Sequence, residues 1–220
     1  MLVYGKNILK ELDRKRIKKV YISRRDYCSY LEEMAIHYEF CDNNRLNKLT
    51  NGAVHQGVVI DIYEYDYYTL DDIEGDFIVA LDHIEDPHNF GSIIRTCACK
   101  GIKSIIIPKD RSAKITDTVM KVSEGNLDKV KIIMVSNLNN ALNILKEKGY
   151  FVYSSVMDGT DYKKMDCSGK KILVIGNEGS GVSEIVKKNS DFLIGIPIMP
   201  NVDSLNASVA AGILIFGMND

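Results

Sequence analysis

The chain has 220 residues, 28 basic against 30 acidic, a formal charge of -2, and 45% hydrophobic residues. So much apolar content with so little net charge excludes an intrinsically disordered chain, and the length accommodates one large domain or a small one followed by a medium one. The five cysteines (Cys28, Cys41, Cys97, Cys99, Cys167) are odd in number, scattered and without a C-x-x-C pair, which argues against a secreted disulfide scaffold.

The first segment, MLVYGKNILKELDRKRIKK, lacks the apolar core of a signal peptide. The pattern predicts a helix over 6–13, a strand over 19–23, a helix over 27–37, Asn-rich turns, and a strand over 58–63. Between Lys6 and Arg25 stand nine basic residues against Glu11 and Asp13 alone. Such a cluster either attracts a polyanion or forms an ordinary solvated face. The acidic stretch EYDYYTLDDIEGD, 64–76, reads as a linker.

From Phe77 the pattern changes. FIVALDHI is a continuous apolar run of the kind found in buried parallel strands. Further strands are expected at 104–108, 131–135, 150–156, 171–176 and 192–197. Helices are expected at 92–100, 116–123, 138–148, 183–188 and 204–218. Strands alternating with helices predict an α/β fold with a parallel sheet, whose ligands bind in loops at the carboxyl ends of the strands. The longest apolar stretch, 207–218, is shorter than the roughly 18 residues that span a bilayer. The expectation is a soluble, cytoplasmic protein.

Three loops carry unusual chemistry. The first is Asp86-Pro87-His88-Asn89-Phe90-Gly91, leading to Arg95. A helix start with an arginine nearby can hold an anion; equally, Asn89 could cap the helix and Arg95 pair with a surface acid. The second is Gly176-Asn177-Glu178-Gly179-Ser180-Gly181, whose spacing is neither a dinucleotide fingerprint nor a phosphate-binding P-loop. Glu178 within it points to a cationic or hydroxyl-bearing ligand. The third runs from Ile196-Pro197 to Ser204-Leu205-Asn206-Ala207-Ser208. Ser204 is the expected N-cap of the last helix, with Asn206 and Ser208 in its first turn. Ala207, Ala210, Ala211 and Gly212 give that helix a small surface suited to close packing. No metal-ligand spacing occurs near His88.

Together the order N-x-x-G-x-x-x-R, then G-N-E-G-x-G, then I-P followed by S-L-N-x-S-x-A resembles the SpoU family of RNA ribose 2′-O-methyltransferases, in the SPOUT superfamily. Residues 51–58, NGAVHQGV, are similar to the end of the small substrate-binding domain in the branch that methylates a guanosine of large-subunit (23S) rRNA. The resemblance implies a substrate-binding domain over 1–63, a linker over 64–76 and a methyltransferase domain over 77–220 tied into a deep trefoil knot. It implies S-adenosyl-L-methionine as cofactor, held by Gly176, Ile196 and Leu205, and a polar active site of Asn89, Arg95, Glu178, Ser204 and Asn206. It further implies an RNA substrate, a homodimer formed through the knotted region, and neither a metal nor a membrane partner. A tRNA guanosine as target, or a non-catalytic RNA-binding or ribosome-assembly protein, are the alternatives. The segment Val122-Ser123-Glu124-Gly125-Asn126 departs from the family's usual small-residue stretch, and Ile198 replaces a usual Met.

Overall fold

A computed structural model describes residues 1–199 and 204–218. Its strands in chain order are β1 (Leu2–Tyr4), β2 (Ile17–Ile22), β3 (Tyr38–Phe40), β4 (Val58–Ile62), β5 (Phe77–Asp82), β6 (Ser104–Pro108), β7 (Lys131–Val135), β8 (Phe151–Asp161), β9 (Lys171–Gly176) and β10 (Phe192–Gly195). Its helices are α1 (Lys6–Glu11), α2 (Cys28–Glu33), α3 (Asn43–Leu49), α4 (Pro87–Lys100), α5 (Asp117–Val122), α6 (Leu138–Glu147), α7 (Glu184–Asn189) and α8 (Ala207–Gly217).

Two compact units form. The first comprises Met1–Asp66 with Ile115–Asp128, the second Tyr67–Lys114 with Lys129–Asp220. A strictly linear division does not anticipate the excursion over Ile115–Asp128. Unit 1 is built on a sheet of order β1-β4-β2-β3. Its centre is β4, in which Val58, Val59, Ile60 and Ile62 are fully buried. β1 and β2 flank β4 antiparallel, and β3 adds parallel to β2.

The expected Asn-rich turns contain α3. Asp42 caps it by accepting from the Arg45 N–H at 2.8 Å, and Leu46 is its buried anchor. Two asparagines in the first turn hid this helix, because Asn is a poor helix former whose side chain competes for the backbone. The basic cluster is partly used within the unit. Arg16 pairs with Asp128 and lies over the Tyr65 ring, and Lys19 pairs with Glu39 at 2.6 Å. Lys6, Lys10, Arg14, Lys15, Lys18, Arg24 and Arg25 are exposed.

The 115–128 segment closes unit 1. Gly125 sits at φ +79, and a Cβ there would come within 2.7 Å of the Glu11 Cβ. Val119, Met120 and Leu127 are fully buried. A chain beginning at Tyr67 is therefore expected to expose these three residues. Hydrogen exchange should then show α5 unprotected while β5 and β9 keep their protection.

Unit 2 holds a six-stranded, wholly parallel sheet of order β10-β8-β9-β5-β6-β7. One face packs Ile78, Ala80, Ile106, Ile133, Val152, Ile172 and Val174 against Leu138, Leu142 and Leu145 of α6 and Val186 of α7. On the other side α4 packs against α8, which also contacts β9. The stretch expected as a linker is ordered against this unit. Tyr68 bridges to Ile133, Thr69 and Asp72 form a reciprocal cap, and Leu70 and Ile73 pack on the core. Strand order reverses between β5 and β9, the place where parallel sheets open a crevice at their carboxyl edge. Among the described residues no helix is long and apolar enough to cross a membrane.

Candidate active site

The loop after β5 is short because α4 starts five residues earlier than expected, at Pro87. Proline suits a first helical position, where an N–H has no partner anyway. Asp86, not Asn89, is the cap; its carboxylate accepts from the His88 N–H at 2.8 Å. Asn89 is thereby released from capping and is buried in the first turn, 6% exposed.

The loop after β9 folds back on itself. Asn177 and Gly181 exchange backbone hydrogen bonds of 3.1 and 2.8 Å, and the Asn177 carboxamide oxygen accepts from the Gly179 N–H at 2.9 Å. The returning chain lies directly over the strand end. A Cβ on Gly176 would stand 2.1 Å from the Gly181 carbonyl carbon and 2.2 Å from the Val182 nitrogen. Gly176→Ala is expected to force the loop outward, costing about 1–3 kcal/mol of stability, which thermal unfolding would measure.

The third loop also differs from expectation. α8 begins at Ala207, and its cap is Asn206, which accepts from the backbone N–H of Ser208 at 2.9 Å and of Val209 at 3.3 Å and from the Ser208 hydroxyl at 2.7 Å. Ser204, the expected cap, stands two residues before it and is exposed. The part of this loop formed by Pro200, Asn201, Val202 and Asp203 lies outside the described residues.

These three loops meet at Asn89. Its Nδ2 donates to Glu178 Oε1, and its Oδ1 accepts from Asn206 Nδ2 at 2.9 Å. One buried amide thus joins the ends of two strands to the start of the last helix, using both its polar functions for the link. A second tie runs beside it. The buried Asp82 carboxylate accepts from the Ser183 N–H at 2.7 Å and from His83 Nδ1 at 2.6 Å. The His83 carbonyl accepts from Asn177 Nδ2 at 2.9 Å. Asp82, Asp86 and Asn177 escape a search for site residues. Asp82 and Asn177 stand at the ends of apolar strand runs, as polar residues commonly do, and Asp86 before Pro87 has the pattern of an ordinary helix cap.

Next to Glu178 opens a cleft of about 550 Å³, within the range of small-molecule sites. Gly176, Ile196 and Leu205 all line it, together with Glu178, Ser204, Leu193 and Ile198. Apolar side chains and bare glycine backbone suit a flat aromatic group; Ser155, Ser180 and Ser204 offer hydroxyls to a polar one. At its rim Glu184 accepts from Lys187 Nζ at 2.8 Å, and that hydrogen bond holds the Glu184 carboxyl below the usual carboxylate range.

Arg95 stands on the exposed side of α4. Six residues of helix separate it from Asn89, about 9 Å of rise and about 240° of rotation. It does not line the cleft.

The model of the SpoU rRNA Methylase family matches residues 76–216. This chain belongs to that family. A second model, RNA 2′-O ribose methyltransferase substrate binding, matches residues 2–68. A TrmH-family tRNA/rRNA methyltransferase of Staphylococcus haemolyticus (strain JCSC1435) is 39% identical over 224 residues, covering 98% of this chain and 89% of the relative. The structure of an AdoMet-bound rRNA methyltransferase from Sinorhizobium meliloti superposes with a TM-score of 0.84 at 26% identity, over 99% of this chain and 85% of that one. The A. aeolicus TrmH/SpoU tRNA modifying enzyme matches 68% of this chain and 76% of its own, with a TM-score of 0.60 and 29% identity. The chain is thus an RNA methyltransferase of the SpoU family, of α/β architecture with a parallel sheet.

Proposed function

We propose that this SpoU-family protein transfers a methyl group from S-adenosylmethionine to a ribose 2′-hydroxyl of RNA, the target being a guanosine of large-subunit (23S) rRNA. The observation that carries this reading is the meeting of Asn89, Glu178 and Asn206 beside a cleft lined by Gly176, Ile196 and Leu205. The cofactor supplies an electrophilic methyl group on a sulfonium. A ribose hydroxyl is a weak nucleophile, so the protein must place it and help remove its proton. Gly176, Ile196 and Leu205 hold the cofactor through the cleft wall. Asn89 fixes Glu178 and Asn206 in position, and Ser204 borders the same cleft. Arg95 grips the phosphate of the target nucleotide and so holds the 2′-hydroxyl in place, the proton released on methylation passing to water. A guanidinium stays protonated near neutral pH, so the grip is its main contribution.

Ribosomal RNA is favoured over tRNA by the extent of the likenesses. The rRNA enzyme from Sinorhizobium meliloti spans 99% of this chain, whereas the tRNA enzyme spans 68%. The exposed basic residues of unit 1 suit a folded polyanion. The reading includes the family's trefoil knot. Gly159 lets β8 and β10 approach closely at their register shift, since a Cβ there would lie 2.3 Å from the Ile194 carbonyl carbon. It also includes a cytoplasmic homodimer. Val209 and Phe216 of α8 are 50% and 52% exposed, and Gly212 faces open space, leaving an apolar surface for a second copy.

The test is methyl transfer from labelled S-adenosylmethionine to unmodified 23S rRNA fragments and to tRNA, with the modified nucleotide mapped by mass spectrometry. A 2′-O-methylguanosine in the rRNA is expected. Transfer to tRNA alone would move the substrate, and transfer to neither, with cofactor bound, would remove the catalytic reading.

A further inference from the structure

The loop after β6, residues 109–114, carries Lys109, Arg111 and Lys114 against the single acid Asp110. β6 lies parallel to β5, so this loop emerges on the same carboxyl edge as Asn89. Lys114 turns inward, its Nζ donating to the Lys109 carbonyl. Arg111 is exposed and is held differently. Its Nη2 donates to His83 Nε2 at 3.3 Å, while His83 Nδ1 donates to the buried Asp82 carboxylate at 2.6 Å. A buried acid thus fixes the imidazole, and the imidazole fixes one arm of a guanidinium fork.

Both positions are backbone outliers, His83 at φ +64 and Arg111 at φ +50. Such conformations are disfavoured for residues with a Cβ and persist where the surroundings over-determine them, often at functional sites. Here the Ala113 N–H donates to the Ile84 carbonyl at 2.8 Å and locks the loop to the β5 end. From Arg111 the path to the active site is short. His83 receives Asn177 on its carbonyl, and Asn177 precedes Glu178 in the chain.

We infer that Arg111, presented by the Asp82–His83 pair, is a second phosphate-binding residue that positions the RNA backbone beside the target nucleotide. The inference rests on the reading that this chain methylates RNA. A guanidinium with one edge engaged by His83 keeps further donors for a phosphodiester oxygen. Lys109, exposed on the same loop, adds charge there. The cofactor's carboxylate is an anion of related chemistry, so the experiment must read both ligands.

Affinity for an unmodified 23S rRNA fragment is measured across a salt series for wild type, Arg111→Gln and Arg111→Ala, with S-adenosylmethionine affinity measured in parallel. Arg111→Gln keeps an amide donor on that loop while removing the charge and the guanidinium fork, so it remains informative if the Ala variant folds poorly. Lys170→Ala, at the amino edge before β9, is the charge control. The expected result is a roughly ten-fold weaker RNA affinity for both Arg111 variants, with the slope of log affinity on log salt falling by about 0.7–0.9. Cofactor affinity should be unchanged, and the control should match wild type. An unchanged slope in Arg111→Gln overturns the inference, as does weakened cofactor binding with RNA affinity intact. If wild type binds and methylates RNA and only the Arg111 result fails, the proposed function stands without this residue; if wild type neither binds nor methylates RNA, both fall.

Discussion

Under the proposed function, replacing Arg95 by alanine is expected to slow methyl transfer to RNA by roughly 10²-fold, the loss associated with a reacting group no longer held in position. Folding should not be the cause. The side chain is exposed on α4, and alanine is the best helix former. The buried residues that anchor α4, Phe90, Ile93, Ile94 and Cys97, are untouched. Since Arg95 does not line the cleft, affinity for S-adenosylmethionine should remain within a factor of about two. Arg95→Lys should recover only part of the rate, because an ammonium restores charge but not the planar pair of donors. Single-turnover transfer with saturating RNA, alongside thermal unfolding, separates these effects. Near-normal turnover in Arg95→Ala would remove the arginine from the active site.

The position of Arg95 also shows what a sequence conveys and what it leaves out. Apolar runs such as FIVALD and KILVIG announce buried parallel strands because both faces of β5 and β9 are covered by helices, so neither strand alternates. Their carboxyl ends could be read as the site for the same reason. The capping pattern was less legible. Ser204 and Asn206 are both good cap types, and Asn206 takes the role because its carboxamide reaches two N–H groups and a hydroxyl while its Nδ2 ties to Asn89. That choice depends on a partner 117 residues away, which no local rule contains. The same holds for Ile115–Asp128, whose burial within unit 1 follows from contacts distant in sequence. Asp82 and His83 read as the polar end of a strand, and only the fold reveals that they organise the loop carrying Arg111.

Asn89 is the residue where scaffold and chemistry can be separated. Asn89→Asp keeps an oxygen to accept from Asn206 but turns a second oxygen toward Glu178. Two carboxylates in contact cannot both stay ionised without cost, so the pair should take up a proton and its apparent pKa should rise. The variant is expected to lose about 1–3 kcal/mol of stability near neutral pH. A raised folded-state pKa means that the bound proton stabilises the fold at low pH and that this contribution is lost as pH rises through it. The deficit relative to wild type should therefore shrink on acidification. Adding Glu178→Gln restores a donor–acceptor pair with its direction reversed, since the new amide can donate to the introduced carboxylate. The double variant should regain most of the lost stability. If Glu178 serves only to hold the loop, methyl transfer returns with it; if its negative charge acts on the substrate or cofactor, transfer stays low in a well-folded protein. Guanidinium unfolding across pH, with transfer rates on the same samples, reads both outcomes. Failure of the second substitution to restore stability would show that the Asn89–Glu178 contact does not hold the two loops together.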